Sequence, residues 1–70
     1  MPKKWTAELV GLLHLYNITQ GRLAERLGLS YQYVSMILGG RRSPPGAEQR
    51  FRAALDELIA EQDDITISLA

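Results

Sequence analysis

Tyr31, Gln32, Tyr33, Ser35 and Met36 make a polar and polarisable set broken by apolar Val34, and Arg41 and Arg42 follow a few residues on. The chemistry these types offer is non-covalent recognition of a nucleic acid. A glutamine carboxamide can bond both N6 and N7 of adenine, which makes Gln32 the side chain best suited to a specific contact, and Met36 can meet a thymine methyl. Tyr31 can bring its hydroxyl to a phosphate or base and its ring edge to a methyl, whereas Tyr33 and Ser35 have the character of backbone contacts. Arginine's planar fork makes charge-assisted bonds to phosphate oxygens, the task assigned to Arg41 and Arg42. Catalysis has no comparable support. The only histidine, His14, lies between apolar neighbours with no cysteine or fixed carboxylate nearby in sequence. With no glycine-rich phosphate loop and no metal-ligand spacing, we expect no enzyme activity, no cofactor and no small-molecule ligand.

Positioning those side chains requires the stretch 20–39, QGRLAERLGLSYQYVSMILG. Leu23 and Leu27 lie one turn apart on one helix face, and Ala24 falls where a second helix must cross closely. Gly28 follows the last periodic residue, as a left-handed helix-ending position does, and Ser30 offers its hydroxyl to cap the next helix. Leu29 between them plugs the core from the turn. The second helix turns Val34, Ile37 and Leu38 inward. At about 100° per residue, Gln32 and Met36 then point most nearly away from the core, with Tyr33 and Ser35 on the flanks and Tyr31 at the open amino end. Two short helices held at a fixed angle by a tight turn make a helix-turn-helix.

At Thr19, Gln20, Leu23, Ala24, Leu27, Gly28, Ser30, Val34, Ser35 and Gly39 the chain resembles the phage repressor and Cro-type (XRE-like) helix-turn-helix proteins, whose recurring pattern is TQxxLAxxLGxSxxxVSxxxxG. The resemblance covers roughly residues 6–60. It implies an all-α, four-helix, lambda-repressor-like domain that binds double-stranded DNA as a homodimer on a near-palindromic operator, most simply as a Cro-like repressor. It places base reading at Tyr31, Gln32 and Met36 with Ser35. Backbone contact then falls to Thr19, Gln20 and Ser30 at the helix amino ends, where free amides attract phosphate, and to Tyr33, Arg41 and Arg42. Gln20 is further implied to brace the second motif helix. Gly21 departs from the family, which normally carries a polar or charged residue there; glycine costs roughly 1 kcal/mol of helix stability relative to alanine.

Seventy residues make one domain, divided here into a DNA-binding part, residues 1–61, and a tail, residues 62–70. The absence of cysteine, of a signal-peptide core and of an apolar run long enough to span a bilayer suggests a soluble cytoplasmic protein with no membrane partner. The formal charge is zero, but residues 1–52 hold all eight bases and three acids, net +5, and residues 53–70 hold five acids, net −5. Local sign is what a DNA backbone feels, because salt screens charge beyond about 8–10 Å.

A first helix is predicted over residues 5–17, with Thr6 as cap, Trp5 and Val10 as a hydrophobic staple, and Leu9, Leu12, Leu13 and Tyr16 facing inward. Ile18 is a core plug. A last helix is predicted from Ser43 and Pro44 to about residue 60, with Phe51, Ala54, Leu55, Leu58 and Ile59 on its buried stripe. In the tail, Ile65, Ile67 and Leu69 alternate with Thr66 and Ser68, the pattern of a short strand or arm that pairs with its copy in a dimer or lies over the helices. A frayed terminus and a fifth helical turn are the competing readings. A second functional class also stands: a protein-interaction module, or a small antitoxin, using the helix-turn-helix face or the acidic tail to engage a protein.

Overall fold

Four helices, α1 (Lys4–Leu15), α2 (Gln20–Leu27), α3 (Tyr31–Leu38) and α4 (Ala47–Leu69), follow one another in the computed structural model, which describes residues 3–69, with side chains through Gln62. Both α3 and α4 pack on α1 and on α2. The predicted all-α architecture is therefore the observed one.

Each of the first three helices closes in the same way. After α1, the Ile18 amide donates to the Leu13 carbonyl at 2.9 Å and Asn17 turns left-handed at φ 56°. After α2, the Leu29 amide donates to Ala24 at 3.0 Å and Gly28 sits at φ 72°. After α3, the Arg41 amide donates to Met36 at 2.8 Å, with Gly40 left-handed. These closures satisfy carbonyls that a helix end would otherwise leave unpaired. Asn17 and Gly28 sharply redirect the chain, and the residue after each, Ile18 or Leu29, returns to the core. Starts are fixed as well. Thr19 Oγ1 accepts from the Arg22 amide and Ser30 Oγ from the Tyr33 amide, each at 3.1 Å.

The core is built from Leu9, Leu13, Ile18, Leu23, Ala24, Val34, Ile37, Leu38, Phe51, Ala54, Leu55 and Leu58, as the periodicity predicts, together with Ala47. Ala24 is 3% exposed, which explains the small residue between α2 and its neighbours. Leu12, Leu27, Leu29 and Ile59 are half-buried against this core. Trp5 meets Phe51 edge to face, ring centroids 5.7 Å apart.

Five expectations are corrected. Thr6 does not cap α1; it is buried inside the first turn, and its Oγ1 donates to the Lys3 carbonyl at 2.6 Å. Trp5, already helical, packs on Phe51 rather than forming a staple ahead of the helix. Tyr16 faces solvent, because α1 ends at Leu15 and the turn swings it off the inward stripe. The last helix begins at Ala47 and not at Ser43, since Gly46 takes a left-handed φ of 77° that no helix interior accommodates. Finally, the expected strand at Ile65, Ile67 and Leu69 is helical backbone: α4 runs unbroken to Leu69. No glycine or proline interrupts residues 47–69, and a helix satisfies its own backbone where a lone strand cannot.

Candidate nucleic-acid interface

Burying Val34, Ile37 and Leu38 fixes which way α3 faces. Tyr31, 57% exposed, stands at its amino end with Gln32 and Ser35 also exposed, while Met36 and Tyr33 are half-buried. Tyr33 leans on the core, which limits it to the border of the face. Tyr31, Gln32, Ser35 and Met36 line one shallow depression of about 480 Å³, together with Gly39 and Arg41. The residues predicted to read bases thus share one surface, with an arginine on its rim. Gly39 is the lining residue that chemistry alone did not single out. A Cβ there would lie 3.2 Å from the Ser35 carbonyl oxygen, a tight approach.

A side chain from α2 supports the depression. Gln20 Nε2 donates to Ser35 Oγ at 2.5 Å and approaches the Tyr31 carbonyl at 3.4 Å, tying the start of α2 to two successive turns of α3. The brace that the resemblance implied for Gln20 is therefore present. Ser35 spends one lone pair on Gln20 and keeps its own hydroxyl proton to donate.

The charges around this face are sorted by partner. Arg26, six residues and so roughly 9 Å along α2 from Gln20, donates to Glu57 at 2.9 Å and to Glu61 at 2.8 Å. Arg52 donates to Glu48 at 2.9 Å and to Glu8 at 3.2 Å. The Arg26 guanidinium holds the Glu61 carboxyl below the usual carboxylate range, and both arginines are pushed above their ordinary value by these hydrogen bonds. The acidic side of α4 is thereby engaged at the opposite end of α2 from the Gln20 brace. Among the described residues Arg22, Arg41 and Arg42 form no ion pair, and all three are exposed. Arg41 is held by the backbone closure on Met36, and the Arg42 amide reaches the same carbonyl at 3.3 Å. Among the described residues, nothing covers the outer side of α3, where Tyr31, Gln32 and Ser35 are exposed.

A family model described as helix-turn-helix matches residues 12–48, which is more than half the chain and takes in α2, α3 and both flanking turns. No curated protein and no solved structure matches the chain.

Proposed function

The chain belongs to the helix-turn-helix family of the phage-repressor and Cro type and is a DNA-binding regulator, and on that premise we propose that it is a cytoplasmic Cro-like repressor. It would occupy a near-palindromic operator as a homodimer, with its two α3 helices about 34 Å apart. One observation carries the reading: among the described residues the outer side of α3 is open, Arg41 lines it and exposed Arg42 follows in the chain, and neither arginine has a carboxylate partner. In this reading Tyr31, Gln32, Ser35 and Met36 meet base edges. Thr19, Gln20, Ser30, Tyr33, Arg41 and Arg42 meet the phosphodiester backbone.

Titrating the chain against duplex DNA at rising salt tests it. Two arginines from each of two copies neutralise about four phosphates, so log K should fall against log salt with a slope of about −3 to −4. Binding that ignores salt would remove the proposal.

Residues 1–61 are the DNA-binding part, and residues 62–70 are assigned to the dimer contact. Residues 62–69 of this tail continue α4 as helix. Leu15, 72% exposed, and Tyr16, 37% exposed, lie near its root, where Gln62 Nε2 donates to the Tyr16 carbonyl at 3.0 Å. Apolar surface beside α4 supports a protein contact there, made with a second copy through Ile65, Leu69 and their neighbour Ile67. Deleting residues 64–70 should halve the molar mass measured by light scattering. An unchanged dimer would move the contact elsewhere.

A further inference from the structure

The helix that faces outward carries no charge: α3 is YQYVSMIL. That is a restriction on what it can read. Guanine presents the O6 and N7 acceptors that arginine or lysine takes in bidentate fashion, and cytosine presents the N4 donor that a carboxylate accepts. Neither pairing is available anywhere on α3. What α3 offers is the Gln32 carboxamide, matched to N6 and N7 of adenine, and two apolar or aromatic bodies, Tyr31 and Met36, matched to the thymine methyl. Ser35 spends one lone pair on Gln20 and, like the Tyr31 hydroxyl, keeps a single O–H donor, which can meet an acceptor on either kind of base pair and so does not by itself select guanine. The one charge on the lining, Arg41, lies beyond the carboxyl end of α3, past Gly39 and Gly40, so it serves the rim.

We propose that the base pairs under α3 are A·T pairs, recognised through an adenine edge at Gln32 and a thymine C5-methyl group held between Tyr31 and Met36. The proposal rests on the DNA-binding reading above and goes further by naming the class of sequence. A methyl group enclosed by Met36 and the Tyr31 ring gives up contact with water. Its loss should weaken binding about fourfold, by the usual value for one buried carbon.

The test begins with selection of duplexes bound by the full chain from a random pool, followed by replacement of thymine with deoxyuridine at each selected position. Uracil pairs as thymine does and lacks only the methyl, so the protein itself is left unchanged. The expected result is an A·T core in each half-site, with at least one deoxyuridine substitution weakening binding about fourfold, and with Met36→Ala abolishing that difference. Selection of G·C at the position whose preference Gln32→Ala removes would overturn the proposal, as would deoxyuridine without effect at every position. Salt-dependent duplex binding with no base preference would also overturn it, while leaving the duplex-binding reading intact. No duplex binding at all would overturn both.

Discussion

Replacing Phe51 with alanine should leave the chain close to unfolded. Phe51 is 2% exposed, meets Trp5 edge to face, and sits on the helix that packs against both α1 and α2. Removing a buried phenylalanine costs about 3–5 kcal/mol through forfeited transfer free energy and the cavity left behind. A domain of this length has roughly 4–10 kcal/mol in total, so much of its stability depends on this ring. With a urea dependence of about 1 kcal/mol per molar for so small a protein, the unfolding midpoint followed by circular dichroism should fall by some 3 M. A shift below about 1 M would mean that the ring is not central to the core. Leu15→Ala provides the contrast, because that side chain is mostly in solvent and its removal should change the midpoint little.

The second large effect concerns recognition, and it separates base reading from phosphate binding. Gln32→Ala should weaken binding by about 1–3 kcal/mol on duplexes carrying the preferred base pair and hardly at all on others, flattening the preference at one position of each half-site. Arg41→Ala should instead weaken every duplex alike and lower the salt slope by about one unit for each phosphate that is no longer neutralised. Competition assays with a panel of single-substituted duplexes at two salt concentrations measure both. If Gln32→Ala left the base preference unchanged, the side chain reading that position would have to be sought among Tyr31 and Met36.

Reading the sequence worked where a residue's local neighbours decide its place. Ala24, Gly28, Ser30 and Val34 are set by interactions within α2, α3 and the turn between them, so spacing alone recovered the motif and its outward side. It failed where the deciding influence was not local. A threonine near an apparent helix start resembles a cap, but Thr6, Leu9 and Leu13 follow one stripe at three- and four-residue spacing, and burial took precedence. Pro44 suggested a helix start that the left-handed Gly46 forbids. Ile65, Ile67 and Leu69 alternate as a strand would, yet helix already formed from Ala47 extends through them more easily than a new, unpaired strand begins. At the site, the Gln20–Ser35 bond joins residues fifteen apart and followed only from family resemblance, while the partition of arginines between Arg26 and Arg52, paired, and Arg41 and Arg42, without an ion pair among the described residues, required the folded arrangement.

The uninterrupted course of α4 makes its residue count an angular setting. Adding one amino acid midway would rotate everything downstream by about 100° and advance it by about 1.5 Å, with no loop inside the helix to take up the change. Whatever engages the far end of this rod is therefore held at a fixed compass bearing relative to α3.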